Sequence, residues 1–182
     1  MNEIELLSNL LLAPYIIKAT ALIGVERRVG GNQFRHAFAT LGILLDYKYF
    51  SDAVLLKASV IHDLIEDVPW TDQQSLRSMD RDANQVVDLV LEVTKPVGME
   101  KSDYLNRILT QGSRNAKLLK VADRISNLTD LHRDIFSDQK ISEYLDQTEK
   151  YVLPMAEEVN ANMVLELKDL IKRRRALLEL LK

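Results

Sequence analysis

The chain contains no cysteine. Disulfides, thiolate nucleophiles and Cys-type zinc sites are thereby excluded, which agrees with a reducing, cytoplasmic setting. Glycine and proline are scarce, six and four among 182 residues, and no Asn-Gly or Asp-Gly pair marks a two-residue hairpin. Neither sign of charge dominates. With 24 basic and 27 acidic residues the net charge is −3, so the molecule as a whole has no electrostatic reason to bind nucleic acid. The fairly apolar stretch from Leu6 to Val25 is interrupted by Asn9, Pro14 and Lys18. Glu3 and Glu5 stand where a signal peptide would be positive, so the stretch reads as a buried first helix and not as a leader or a membrane anchor.

What is present is a globular composition, 47% hydrophobic in 20.8 kDa, enough for one domain over residues 1–182 with a sizeable core. Apolar residues recur at spacings of three and four almost throughout, which predicts an all-α fold. The predicted helices are 2–24, 36–48, 52–66, 82–94, 101–111, 114–133, 140–151 and 157–181, with irregular segments at 25–35, 67–81 and 134–139. The segment 25–35 sets Gly30, Gly31 and Asn32 among three arginines, a positively charged loop. Met163, Val164, Leu167, Leu170, Ile171, Leu177, Leu178 and Leu181 form a stripe on the last helix, read as core or as a homo-oligomer contact. The cations from Lys172 to Arg175 read as a solvated helix end.

The chemistry concentrates in few places. Only three histidines occur, and one of them, His62, is followed at once by Asp63, Glu66 and Asp67 in the run His-Asp-Leu-Ile-Glu-Asp. On a helix His62 and Glu66 would share a face, with Asp63 and Asp67 one step round. Four such groups behind the apolar Ala58, Val60 and Ile61 repel one another and lose hydration unless a cation or strong donors compensate. Asp123 lies in a second apolar helix, where a carboxylate is costly unless paired or metal-bound. Together with His36, the pair His62-Asp63 and Asp123 can build a metal site, and two imidazoles with two carboxylates suit Mn, Fe or Zn; a histidine on an apolar face also reads as a satisfied core residue, and acidic residues at a helix end as solvated. His132 has no comparable partners and reads as surface or core.

The ordered set His36, His62-Asp63 and Asp123 resembles the ligand pattern of the HD-domain phosphohydrolase superfamily. His-Asp-x-x-Glu-Asp at 62–67 and Lys-x-Ala-Asp-Arg-x-x-Asn at 120–127 narrow the resemblance to the hydrolase domain of Rel/Spo stringent-response proteins and the small alarmone hydrolases. The resemblance runs from about Arg27 to Pro154, including Glu92-Val93-Thr94-Lys95 and Glu149-Lys150-Tyr151-Val152-Leu153-Pro154. It implies a bundle of about eight helices with the metal site between central helices. It also implies one Mn²⁺ on His36, His62, Asp63 and Asp123, with Glu66 and Asp67 positioning and deprotonating the attacking water.

By the same resemblance Arg27 and Arg28 lie against a purine ring and Asn127 lies near the ribose, while Lys120 and Arg124 read equally as phosphate contacts or as ion-pair partners of the carboxylates. Lys95, Lys101, Arg107 and Arg114 read as surface cations. The implied substrate is ppGpp or pppGpp, cut to GDP or GTP and pyrophosphate, and 182 residues leave no room for a synthetase domain. The family's Ser-Gly-Glu-Pro-Tyr-like loop is altered here, because Val29, Gly31, Asn32 and Gln33 depart from it. Adenosine 3′-pyrophosphates, a nicotinamide dinucleotide 2′-phosphate and deoxynucleoside monophosphates therefore stay open as substrates, and a catalytically silent nucleotide-binding module is the alternative from another class.

Overall fold

The computed structural model describes residues 2–180. Among them the regular structure is helical, apart from one isolated bridge between Glu26 and Asn32. The chain divides into two compact helical units, one formed by Met1–Glu26 and Asn32–Thr94, the other by Arg27–Gly31 and Lys95–Lys182.

In the first unit the predicted helix 2–24 is broken. It becomes α1 (Glu3–Ser8), α2 (Ala13–Ala19) and a 3₁₀ turn, Thr20–Gly24. Asn2 and Glu5 form a reciprocal capping box that starts α1, and the helix closes at Asn9. Pro14 sits in the first turn of α2, where a missing N–H costs nothing. Among the described residues of this region Tyr15, Ala19 and Leu22 are the buried ones, while Leu11, Ile17 and Ile23 are exposed. Then come α3 (Gln33–Asp46), α4 (Ala53–Ile61), α5 (Leu64–Asp67), α6 (Gln73–Arg77) and α7 (Ala83–Val93).

Helix α4 is buried on every side from Leu55 to Ile61 and packs against α2, α3 and α7. Its one cation, Lys57, is held at 2.8 Å by Asp80 and 2.6 Å by Asp82, and Tyr15 donates to Asp80 at 2.9 Å. The predicted helix 52–66 breaks where the chemistry lies. His62 closes α4, and Asp63, with φ −94° and ψ −4°, opens α5. That backbone region is sparsely populated in general and common at active sites. Within the segment expected to be irregular, Asp72 caps α6 by accepting from Gln74 and Ser75.

The second unit holds α8 (Lys101–Gln111), α9 (Arg114–Asp130) with a 3₁₀ turn Leu131–Arg133, α10 (Asp138–Gln147) with a π turn Thr148–Val152, α11 (Leu153–Val159) and α12 (Ala161–Leu180). Ser113 caps α9, which is buried throughout from Ala116 to Ser126. The predicted last helix begins later than expected: Asn160 adopts extended backbone and its side chain accepts from Asn162 and Met163, starting α12 afresh. Met163, Val164, Leu167 and Ile171 are core, Leu177 is exposed, and Leu181 lies outside the described residues.

The basic run is only partly the solvated end the sequence suggests. Arg174 donates to the carbonyls of Leu128 and Thr129 at 2.7 Å each, satisfying the end of α9, and Arg175 bridges Asp146 and Glu149. The short loop Arg27–Gly31 also belongs to this unit. Its turn closes through Gly30 N–H to Arg27 O and Arg27 N–H to Gly31 O, and Gly30 (φ 84°) and Gly31 (φ 75°) occupy the left-handed region that favours glycine.

Candidate active site and metal centre

The first unit brings together three of the expected ligands. His36 sits in the first turn of α3, whose start is fixed by the Asn32 side chain accepting from Arg35. His62 lies at the end of α4, and both imidazoles are buried, with ring centroids 5.2 Å apart and edge to face. His62 Nδ1 stands 2.8 Å from the carbonyl of Ser59. A carbonyl only accepts, so Nδ1 donates and Nε2 is the ring atom left to face a metal, the orientation a metal-binding imidazole needs. Asp63 Oδ2 lies 3.3 Å from His62 Nε2 and 3.7 Å from His36 Nε2. The break between α4 and α5 is what turns the Asp63 carboxylate toward both rings, which an unbroken helix would not do.

Two carboxylates follow. Glu66 is exposed, and Asp67 is half-buried and accepts from Gln33 Nε2 at 2.8 Å. Burial, and next the negative charge of Asp63, push the Asp67 pKa up to about 6 against the opposing hydrogen bond from Gln33. A carboxyl tuned to that range is ionised at neutral pH yet basic enough to accept a proton.

In the second unit Asp123 is buried on α9 with its charge answered, as the sequence requires. Lys120 Nζ donates to Oδ2 at 2.6 Å and Asn127 Nδ2 to Oδ1 at 2.5 Å. Burial opposes the charge of Lys120, but the Asp123 carboxylate outweighs it and holds the lysine pKa above its ordinary value. Asn127 faces two ways, since its Oδ1 accepts from Arg27 Nη2 at 2.8 Å. Arg27 is further held by Asp130 at 3.4 Å. Arg28 pairs with Asp134 at 3.5 Å and stacks its guanidinium 3.9 Å over Phe136, with half of its side chain still exposed. Arg124 is enclosed: it donates to Thr148 Oγ1 at 2.6 Å and lies 4.0 Å over the Tyr144 ring.

Within the first unit His36 and His62 are buried and meet the Asp63 carboxylate, each with an atom to offer a metal ion. Two imidazoles with carboxylates and no sulfur fit a first-row divalent ion. His132 is exposed. The residues that sequence reasoning missed are Gln33, Ser59, Asp130, Asp134, Phe136, Tyr144 and Thr148, ordinary polar and aromatic types whose role comes from a tertiary contact. Only Asp130 had a usable signal, its place three residues after Asn127 on the same helix.

An all-helical protein with a buried two-histidine, carboxylate donor set is the class these features define. No protein-family model matches the chain. Among curated proteins it is 30% identical over 152 residues to the Homo sapiens guanosine-3′,5′-bis(diphosphate) 3′-pyrophosphohydrolase MESH1, covering 80% of this chain and 82% of the human one. The Mus musculus protein of that name is 32% identical over 124 residues, 64% of this chain and 67% of its own length. For the Xenopus tropicalis protein the identity is 29% over 112 residues, 60% of this chain and 63%, just under two thirds, of the frog one. The fold matches a solved structure described as a metazoan ortholog of SpoT that hydrolyzes ppGpp and plays a role in starvation responses, with a TM-score of 0.78, 24% identity and coverage of 90% and 94% of the two chains. The chain belongs to the MESH1 family of HD-domain hydrolases.

Proposed function

We propose that this chain is a metal-dependent enzyme that hydrolyses the 3′-pyrophosphate of guanosine alarmones, ppGpp and pppGpp, to GDP or GTP and pyrophosphate. The observation that carries the reading is the convergence of His36 Nε2 and His62 Nε2 on Asp63 Oδ2 in a chain of the MESH1 family. Residues 1–182 act as one hydrolase domain, a reading supported by a solved chain whose fold matches 90% of this one.

His36, His62, Asp63 and Asp123 hold one ion, assigned as Mn²⁺. When bound, such an ion neutralises charge on phosphate oxygens and acidifies water. Asp67, with its raised pKa, takes the proton of the water that attacks the phosphorus next to the 3′-oxygen, and Glu66 orients that water. As the bond to phosphorus breaks, the 3′-oxygen leaves and takes a proton from solvent, Asp67 returns its proton to solvent, and pyrophosphate is released. Asn127 holds Asp123 in place and contacts the ribose, and Arg27 and Arg28 receive the purine and its phosphates, as planar guanidinium groups are able to do. Lys120 sets the Asp123 carboxylate and adds positive charge near the phosphates. Arg124 is engaged by Thr148 and Tyr144, and it serves by fixing the helix that carries Asp123.

The substrate is a small nucleotide, and neither nucleic acid nor a membrane is a partner. Among the described residues no helix is long and apolar enough to cross a membrane. The site of action is the cytoplasm, a setting the absence of cysteine suits. The exposed end of the α12 stripe is where a homo-oligomer would form.

The test is to strip the protein of metal, restore Mn²⁺, and incubate it with ppGpp, ppApp and a nicotinamide dinucleotide 2′-phosphate, separating products by anion exchange. Pyrophosphate from ppGpp, lost in His62→Ala with helical circular dichroism unchanged, is the expected result. Turnover of only the dinucleotide, or of nothing, would overturn it.

A further inference from the structure

Resting on the hydrolase reading above, we propose that Gln33 is a positioning residue for Asp67, holding one carboxylate oxygen so that the other faces the attacking water. Gln33 opens α3, one turn ahead of His36, and its own backbone N–H is anchored on the carbonyl of Val25 at 2.9 Å. The side chain is thus fixed to the same helix start as a metal ligand. Its Nε2 donates to Asp67 Oδ2 at 2.8 Å, joining the beginning of α3 to the end of α5.

The amide is not there for stability. Its oxygen is buried with no hydrogen-bond partner among the described residues. An unsatisfied buried acceptor is a cost that a methionine of similar size would not carry. The amide offers instead a donor to the Asp67 carboxylate and, turned over, an acceptor for the Asp67 acid. Either protonation state of the base is therefore met by the same side chain without moving the backbone. The other charged groups acting on Asp67 are Asp63 and Glu66, which raise its pKa, and His62, which lowers it. Gln33 is the neutral donor opposing the two carboxylates. It also stands in the loop segment that departs from the Rel/Spo pattern, so the device belongs to this chain's own sequence.

The experiment uses the full chain with Gln33→Met and Gln33→Glu. With Mn²⁺ and ppGpp, kcat falls at least tenfold in Gln33→Met while KM stays within twofold and metal content is unchanged. The acid limb of kcat moves to higher pH in Gln33→Met and further in Gln33→Glu. Independently of any substrate, the carboxyl ¹³C resonance of Asp67, assigned with Asp67→Asn in Zn²⁺-loaded protein, titrates at higher pH in Gln33→Met than in wild type. An unchanged Asp67 midpoint overturns the inference, as does a Gln33→Met enzyme with wild-type kcat. A shifted midpoint in a protein that leaves ppGpp intact supports the Gln33–Asp67 pairing and instead overturns the alarmone reading.

Discussion

Lys57→Met tests whether the buried ion cluster holds the helix that carries His62. Lys57 is 4% exposed, and its Nζ bridges Asp80 and Asp82, whose side chains are 10% and 19% exposed. Methionine keeps the length and removes the cation, leaving two facing carboxylates with the Tyr15 hydroxyl and the Asp82 N–H as donors to Asp80. Removing one partner of a buried charge pair costs about 3–5 kcal/mol, and the solvent still reaching Asp82 points to the lower end, about 3 kcal/mol. For a chain of this size that is a fall in Tm of roughly 6–12 °C.

The pH dependence checks the cause. Burial works to raise the Asp80 pKa, but Lys57 and Tyr15 together hold it below the ordinary value of 3.8. Its contribution to wild-type stability is therefore present above that value and lost only as the pH falls through the lowered pKa. In Lys57→Met the two carboxylates take up protons more readily than in the unfolded chain, so acidification from pH 7 to 5 narrows the gap to wild type. Lys57→Met/Asp82→Asn recovers part of the loss, because the remaining carboxylate keeps its neutral donors. Thermal melts followed by circular dichroism at both pH values decide it. A single variant melting within 2 °C of wild type, or a double variant no better than the single, would refute the assignment.

Three further outcomes follow from the site. Asn127→Ala removes a donor from Asp123 and an acceptor from Arg27, so it should weaken metal affinity by about 10–100-fold and raise KM, as read by metal titration and steady-state kinetics. In metal-free protein the Asp67 pKa is raised from 3.8 to about 6. The folded state binds a proton there more tightly than the unfolded chain, and the penalty for ionisation grows as the pH rises through that interval. Asp67→Asn should accordingly melt higher than wild type by a few degrees at pH 7.5, with the difference shrinking toward pH 4; equal melting throughout would show that Asp67 is not strained by its surroundings. Gly30→Ala forces a side chain into φ 84° at about 1 kcal/mol. The expected result is a fall in Tm of about 2–4 °C with a raised KM, since the loop that carries Arg27 and Arg28 loosens.

What the sequence made legible follows from cost. Helical spacing predicts the all-α fold because apolar faces must be buried. Asp123 stood out because a carboxylate inside an apolar helix needs a partner, and the structure gives it Lys120 and Asn127. Helix ends were less legible. Asn9 with Pro14, and Asn160, divide segments whose apolar spacing runs on regardless, and α6 rests on one Asp72 cap too short to register as a period. Arg174 looked like a solvated cation because nothing in Lys172 to Arg175 marks which arginine meets the open carbonyls of α9.

The break at His62–Asp63 joins these two kinds of legibility. The sequence pattern groups His62, Asp63, Glu66 and Asp67, but it argues from an unbroken helix in which His62 shares a face with Glu66. In the structure the helix stops at Ile61, and the turn that follows brings Asp63 Oδ2 to the two imidazoles while α5 carries Asp67 to Gln33. An unbroken helix would have kept His62 with Glu66 on one face and Asp63 with Asp67 on the next. Stopping it separates the groups: His62 and Asp63 stay with His36, and the Asp67 carboxylate meets a different donor, Gln33. On the proposed mechanism the same six residues would supply both metal ligands and a base, because the backbone between them leaves the helical path.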